Sequence, residues 1–315
     1  MTKPITGEFK SFAQMIMALP DDQACRLHLE KIRWNETPTC PHCASTKHYK
    51  LKTKGEFKGL YKCGECKQRY TVTVGTIFEG THISLRSWFI AIYLFGTHKK
   101  GISSYQIADD LGITQKSAWY MLSRIRYMYE LEPEQTEGIA YCDETFVGGK
   151  NKNRHKDKKV ERAHGRSFKD KTPVFGMMQN GKMYTKVVVD TKKATIAPIV
   201  KSLLKEGSTL VTDEWKAYRG MHMSYDHRMV NHAGKQYVSE EGYSTNNVEN
   251  FWSHLKRGLI GVYHQVSSKH LQKYCDEFTF RFNNRDCDPS QKFNLSLVLS
   301  SRGRLRYKHL TNKAA

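Results

Sequence analysis

Ile139–Val147, which reads IAYCDETFV, is the stretch that decides the fold of this chain. Its β-branched and aromatic residues are typical of a strand, and the acidic residue Asp143 directly follows the apolar run. The pattern beyond it predicts a β-hairpin that turns at Asn180-Gly181, then a helix and one more buried strand. These elements are expected at Pro173–Gln179, Met183–Asp190, Ile196–Leu204 and Ser208–Thr212. The predicted order is therefore three antiparallel strands, a crossover helix and a further strand.

That order is typical of an RNase H-like α/β domain, which we expect over residues 137–290. Asp143 and Asp213 stand at strand ends, and Glu249 opens a helical pattern. Three carboxylates so placed can converge on two divalent cations, which activate water and stabilise the leaving oxygen of a phosphodiester. Lys256 lies two helical turns after Glu249 on the same face, where it can hold a phosphate. The spacing predicts phosphoryl-transfer chemistry.

Each acid also has a purely structural interpretation. Asp213 can cap a helix that starts near Glu214. Glu249 follows Asn246 by three residues, which is the spacing of a capping box. Glu144 can take the place of its neighbour, Asp143. The whole set of acids together with Lys256 favours the metal site over these alternatives.

The composition points to a polyanionic partner. The 315 residues include 51 Lys and Arg but 31 Asp and Glu, for a net charge of +20. A generally basic surface is the alternative interpretation. The apolar runs are too short to span a bilayer, and residues 1–8 lack the apolar core of a signal peptide. We therefore expect a cytoplasmic protein with no membrane partner, built from two or three domains.

Four cysteines predict one structural Zn²⁺. They form two CxxC pairs, Cys40 with Cys43 and Cys63 with Cys66. Each pair can direct two thiolates at a tetrahedral ion, and two pairs without a βαβ pattern do not fit a redox motif. We expect a zinc ribbon over residues 36–76, with a turn at Gly59 and a last strand at Tyr70–Val74. A helical segment over residues 1–35 precedes it.

Residues 82–131 predict a helix-turn-helix. A helix is expected at Ser84–Phe95 and should end at Gly96. A short helix through Leu111 then turns at Gly112, and Thr114 can cap the next helix. The residues placed to reach DNA are Gln115, Lys116 and Ser117. A plain helical linker between domains is the alternative.

A basic loop is predicted at residues 150–171, where ten Lys or Arg and three acids give a net charge of +7. Such a run is commonly a solvated surface, but beside an acidic metal site it can neutralise DNA phosphates. The residues expected to contact DNA from this loop are Lys150, Lys152, Arg154, Lys156, Lys158 and Lys159, and we add Arg257 from the later helical pattern. Residues 291–315 are expected to form a basic C-terminal tail.

Several motifs together resemble one known family. The stretch from Asp143 to Lys150 resembles the first-aspartate motif of bacterial insertion-sequence transposases that have a DDE-type domain and an N-terminal zinc ribbon. Thr245–Gly258, Tyr263–Ser267 and Asp276–Arg285 are similar to later motifs of that group. The resemblance implies cutting and joining of double-stranded DNA with two Mg²⁺ or Mn²⁺ ions, at Asp143, Asp213 and Glu249 with Lys256.

The resemblance leaves the third metal ligand open. Members of this group have Asn or Glu there, and this chain has both Asn246 and Glu249 on one helix face. We favour Glu249, because a carboxylate binds a hard cation better than an amide. The family also implies binding to the terminal inverted repeats of the element and to target DNA. Two ends must meet, so we expect a homodimer or a larger assembly, associated with the nucleoid.

Two other functions remain possible from the sequence. A DNA-binding regulator derived from a transposase would use the ribbon and the helical pair without catalysis. A structure-selective nuclease of the same fold would cut branched DNA without joining it. The complete set of acids favours the transposase over the regulator.

Overall fold

The computed structural model describes residues 9–132, 134–149, 155–161, 170–213, 216–230 and 243–311. Its helices are α1 (Phe12–Ala18), α2 (Asp22–Trp34), α3 (Leu85–Thr97), α4 (Ser104–Leu111), α5 (Gln115–Met128), α6 (Lys193–Leu203), α7 (Asn246–Gly258), α8 (Ser268–Asn283), α9 (Pro289–Leu299) and α10 (Tyr307–Thr311). Its strands are β1 (His48–Thr53), β2 (Glu56–Cys63), β3 (Arg69–Tyr70), β4 (Ile139–Val147), β5 (Thr172–Gln179), β6 (Lys182–Val187), β7 (Thr209–Asp213) and β8 (Asp226–Val230).

The chain forms two compact units. One consists of Met1–Tyr129 together with Asp286–Ala315, and the other of Glu130–Arg285. In the described part of the chain, no helix is both long and apolar enough to cross a membrane.

The second unit contains a mixed five-stranded sheet in the order β6-β5-β4-β7-β8. β4, β5 and β6 pair antiparallel, and β7 and β8 run parallel to β4 after the crossover helix α6. The hairpin turns at Asn180 and Gly181, whose φ angles of 49° and 72° are both positive, as this turn requires. The predicted mixed α/β class and order of elements are confirmed. The predicted helix was too short at its start, because α6 begins at Lys193 and holds Pro198 inside it.

Helices cover both faces of this sheet. On one face, Ala140 and Cys142 of β4 pack in a core with Ile196, Val200 and Tyr218. On the other face, Tyr141 and Val147 of β4 and Val174 of β5 pack against α7 and α8. The helix residues of this core are Val248, Phe251, Trp252, Leu255, Leu271, Cys275 and Phe278. Successive residues of a strand point to opposite faces. The alternation along β4 therefore decides which side chains meet α7.

The zinc ribbon is a three-stranded antiparallel sheet, β1-β2-β3. Tyr61 and Tyr70 stack on one another at 5.5 Å, and the Trp34 ring of α2 packs edge-on against both. The hairpin turn differs from the prediction. It lies at Lys54 and Gly55, both with positive φ, while Gly59 lies inside β2. The last strand is also shorter than predicted, because pairing with β2 is limited to Arg69 and Tyr70.

The helices of the first unit begin and end mostly as the sequence predicts. Gly112 ends α4 in the left-handed conformation, and the Thr114 hydroxyl accepts the Ser117 N–H at the start of α5. Gly96 is different: α3 continues to Thr97, because the N–H of His98 still donates to the Leu94 carbonyl. The prediction that Gly96 ends this helix was wrong.

The C-terminal segment is more than the predicted basic tail. Residues 291–315 include most of α9, in which Phe293 and Leu297 are buried. Phe293 packs edge-on against Phe89 of α3 at 5.3 Å, and Asn294 hydrogen-bonds the buried His28 ring of α2 at 2.8 Å. Burial of this apolar face holds the segment in the first unit.

Candidate functional site

Two acids stand side by side on parallel strands. Tyr141 of β4 is paired with Val211 of β7, and Asp143 and Asp213 each lie two residues beyond that pair. Asp213 is the last residue of β7. The parallel register therefore brings both carboxyl groups to the same level of the sheet, as the sequence predicts for a shared site.

The alternation of β4 separates Asp143 from Glu144. Tyr218 donates a hydrogen bond to the Glu144 carboxylate, on the face that α6 covers. Asp143 points to the opposite face and accepts a hydrogen bond from Trp252 of α7. Since α7 also bears Glu249 and Lys256, this arrangement favours Asp143 over Glu144 as a member of the site.

Helix α7 supplies the remaining candidates. It begins at Asn246, and Thr245 is the N-cap residue. The capping-box interpretation of Glu249 needs Asn246 as N-cap, so the observed start of the helix does not support it. Asn246 and Glu249 are both exposed. Side chains three residues apart share a helix face, so the structure keeps both available as a third ligand.

Asp143 interacts electrostatically with Asp213, Glu249 and Lys256. The pKa of Asp143 is raised from 3.8 to about 6, first by burial and then by the charges of Asp213 and Glu249, although the hydrogen bonds from the Glu144 backbone and Trp252 oppose this shift. Partial burial lowers the pKa of Lys256, and the Asp143 carboxylate opposes this shift. Like charges close enough to shift a pKa repel one another. A cation between them would relieve that repulsion.

The spacing of these acids differs from that of the cysteines. Among the described residues, one group of three or more His, Cys, Asp or Glu side chains gathers its ligand atoms within 4.8 Å, and it is the Cys40, Cys43, Cys63 and Cys66 group. The carboxylate oxygens of Asp143, Asp213 and Glu249 do not all lie within that distance of one another, although the charges of Asp213 and Glu249 act on Asp143.

The four thiols fit a tetrahedral ion. Cys40 Sγ lies 3.6 Å from Cys66 Sγ, and Cys43 Sγ lies 3.5 Å from Cys63 Sγ. A tetrahedral Zn²⁺ with Zn–S bonds of about 2.3 Å separates its sulfur atoms by roughly 3.8 Å. The Glu65 N–H also points at Cys63 Sγ, at 3.4 Å. The donor set is therefore arranged for one structural zinc, as predicted.

One row of exposed side chains crosses the three strands of the zinc ribbon. Tyr49 pairs with Lys62, and Lys62 pairs with Arg69, so the three side chains cross all three strands in line. All are exposed, and neither cation makes an ion pair with a described residue. Like charges directly opposite on a sheet are destabilising by themselves. An anionic ligand would offset that repulsion.

The three residues predicted to reach DNA from α5 differ in availability. Gln115 Nε2 donates to Ser104 Oγ at 2.8 Å, and Ser117 is engaged in the cap with Thr114. Lys116 is exposed, with its Nζ 6.0 Å from the Tyr307 ring centroid of α10. The helical pair is present, and its use in DNA recognition stays a prediction.

The basic loop is described in part. Lys150, Lys152 and Arg154 lie outside the described residues. Lys156–Lys158 form a 3₁₀ turn, and Lys156 and Lys159 are exposed. For Lys158 the backbone alone is described. Arg257 on α7 is exposed, and its Nε donates to the Ser253 carbonyl at 3.1 Å. The described members are accessible, and their contact with DNA stays a prediction.

Two protein families match parts of this chain. Residues 135–283 match the family described as the ISXO2-like transposase domain, and residues 20–69 match the transposase zinc-ribbon domain. A protein of the transposable element ISH50 from Halobacterium salinarum is 25% identical over 264 residues, which cover 80% of this chain and 88% of that protein. A transposase-like protein from Haemophilus influenzae is 32% identical over 106 residues, or 33% of this chain and 84% of that protein.

Proposed function

This chain belongs to the family of ISXO2-like transposases with a zinc-ribbon domain, and from that premise we propose a specific activity. The protein binds the terminal inverted repeats of its insertion sequence, cleaves DNA strands there, and transfers them into target DNA. The observation that carries this proposal is the register that sets Asp143 beside Asp213 on parallel strands, facing the helix of Glu249 and Lys256.

We assign the catalytic metal ligands to Asp143, Asp213 and Glu249, with Asn246 as the alternative third ligand. The donor set fits Mg²⁺ or Mn²⁺, because these hard cations prefer carboxylate oxygens. Two such ions held by these residues would supply activation of the attacking water or 3′-hydroxyl and stabilisation of the leaving oxygen. Glu249 is exposed at the start of α7, and its charge raises the pKa of Asp143, so the two carboxylates are near enough to interact.

Lys256 would hold the DNA backbone near the acids. Lys256 is exposed on α7, and the charge of the Asp143 carboxylate favours its protonated form. A phosphate brought to Asp143 would therefore meet a cation already in place. The exposed Arg257 is the next residue of α7 and would extend this contact along the backbone.

DNA recognition is assigned to the other basic surfaces. The row of Tyr49, Lys62 and Arg69 presents an aromatic ring and two cations without an acid between them. Lys116 on α5 and the exposed lysines of the loop, Lys156 and Lys159, would add phosphate contacts. Two element ends must be joined in one reaction, so the active form is expected to be a dimer or a larger assembly.

The test is a joining reaction with purified protein. A donor plasmid that carries both element ends is incubated with a target plasmid in Mg²⁺, and junctions are sequenced. Junctions at the element ends support the proposal. End binding without any cutting would instead identify a DNA-binding regulator. Cutting of branched DNA without joining would identify a structure-selective nuclease.

A further inference from the structure

We propose that Trp252 is a positioning residue that holds the Asp143 carboxylate in the orientation required for metal binding. This inference rests on the proposed function, since it concerns a carboxylate assigned there as a metal ligand. The side chain of Trp252 does not itself bind metal. Trp252 acts on the metal site through a single hydrogen bond to Asp143.

The hydrogen bond is well formed. Trp252 Nε1 donates to Asp143 Oδ2 at 2.9 Å, and the Trp252 side chain is 4% exposed. The indole N–H is the one donor that tryptophan has, and leaving it unpaired in a buried place would be unfavourable. The indole is therefore constrained to point at the carboxylate. In return, the carboxylate is held by a donor that water cannot easily replace.

A glycine on the neighbouring strand β5 leaves room for the indole of Trp252. Gly176 of β5 is paired with Asp143 of β4. A Cβ atom at Gly176 would lie 2.5 Å from Trp252 Cζ2 and 2.3 Å from Met183 Cε. Such distances are far inside van der Waals contact, so a larger residue would displace the ring. Gly176 thus allows the indole to lie over the strand and reach Asp143.

The same indole ties the helix to the strand. Trp252 follows Glu249 by three residues and precedes Lys256 by four, so the three side chains lie along one side of α7. The hydrogen bond from Trp252 fixes where this part of the helix lies relative to Asp143. It therefore sets the separation between the strand carboxylates and the residues that α7 contributes.

The hydrogen bond from Trp252 also leaves lone pairs of the Asp143 carboxylate available to a metal ion. An ionised carboxylate has about four lone-pair positions, of which Trp252 uses one on Oδ2 and the Glu144 backbone N–H uses another. The remaining positions can still bind cations. A carboxylate already fixed in rotation loses less entropy when it coordinates an ion. Hydrogen-bonding partners of metal ligands commonly contribute to affinity in this way.

The test measures Mn²⁺ binding directly, by calorimetry on the zinc-loaded full-length protein, without DNA. Trp252→Phe keeps an aromatic ring and removes the N–H donor. We expect its Mn²⁺ affinity to fall roughly tenfold or more, with the circular dichroism spectrum and zinc content unchanged. Gly176→Ala should weaken Mn²⁺ binding in the same direction, because it displaces the ring. If Trp252→Phe does not fold, Gly176→Ala decides the question.

Trp88→Phe is the matched control. The Trp88 side chain is also buried, and its Nε1 donates to Thr81 Oγ1 at 3.1 Å in the other unit. The same exchange there should leave Mn²⁺ affinity unchanged. Asp143→Asn separates this inference from the proposed function. If native protein binds Mn²⁺ no better than Asp143→Asn, the assigned metal site is wrong and the positioning role falls with it. If Asp143→Asn alone loses binding, and Trp252→Phe and Gly176→Ala bind as the native protein does, only the positioning role is overturned.

Discussion

Asp143 and Asp213 each lie two residues beyond the Tyr141–Val211 pair, on neighbouring parallel strands. This register places two like charges together at the sheet. Burial and the charge of Asp213 are the two largest causes that raise the pKa of Asp143 to about 6. The site is therefore strained electrostatically when no cation is bound, which is typical of functional carboxylates.

Asp143→Asn should stabilise the metal-free protein at neutral pH. The pKa of Asp143 is 3.8 as an ordinary value and about 6 in the fold, so the folded state binds more protons between these values. Its contribution to stability therefore falls as pH rises from about 4 to 6, and stays low above that. Asn carries no charge, and its carbonyl can still accept the Trp252 N–H.

The expected gain is on the order of 1–3 kcal/mol at pH 7 and close to none at pH 4. Urea unfolding of both proteins with chelator, at the two pH values, measures it. Equal differences at pH 4 and pH 7 would show that the Asp143 charge is not buried as described.

Zinc should be required for the first unit to fold normally. We expect one zinc per chain, and loss of it in Cys63→Ser, because the thiolate is one of four ligands. Structural zinc sites of this kind contribute about 10 kcal/mol or more to folding at neutral pH. The metal content and the thermal unfolding midpoint test this. Cys287→Ser, which changes a thiol outside the ribbon, should retain its zinc. Zinc retained at the native level in Cys63→Ser would contradict the assignment.

Lys62→Gln and Arg69→Gln should each weaken DNA binding and reduce its salt dependence. If each residue contacts one phosphate, the slope of log K against log salt should fall by about 0.9 for each variant. Lys58→Gln is the control, since it removes the same charge from the same hairpin but Lys58 is paired with Glu56 at 3.7 Å. Fluorescence anisotropy with duplex DNA at several salt concentrations gives these slopes. An equal change in all three variants would indicate a general charge effect rather than the proposed row.

The third metal ligand can be identified by paired substitutions on α7. Glu249→Gln should reduce Mg²⁺-dependent cleavage about a hundredfold or more if the carboxylate binds the ion. Asn246→Ala should then have a much smaller effect. Both residues are exposed, so neither change should disturb the fold. The opposite order of effects in a single-turnover cleavage assay would assign the ligand to Asn246.

Much of this architecture was predictable because it follows local rules. The Asn180-Gly181 hairpin, the Gly112 turn and the Thr114 cap each depend on a few neighbouring residues whose chemistry admits few conformations. The CxxC spacing likewise predicted the cluster of four thiols. The predictions failed where tertiary packing determines the structure. Gly96 was expected to end α3 but lies inside this buried helix, and the expected basic tail contains α9, which packs in the first unit through Phe293.

The contacts around the acids could not be predicted from the sequence. Asp143 and Glu144 are neighbours with similar chemistry on opposite faces of one strand, and only their contacts with Trp252 and Tyr218 show that Asp143 is the one that faces α7. Trp252 follows Glu249 in the helical pattern, and nothing in the sequence indicates that its N–H donates to Asp143. These relationships join residues far apart in the chain, so no local pattern signals them.

The most direct test of the account is a plasmid cleavage assay with the element's own ends. It compares the native protein, Asp213→Asn and Asp226→Asn in Mg²⁺, with end binding measured in parallel. Asp226 is the control, because it makes an ion pair with Arg228 on the adjacent strand β8. We predict that Asp213→Asn loses end-specific nicking and joining while it still binds the ends, and that Asp226→Asn stays active. Undiminished cleavage by Asp213→Asn would contradict the metal-site assignment, and native protein that binds the ends but never cuts them would contradict the proposed activity.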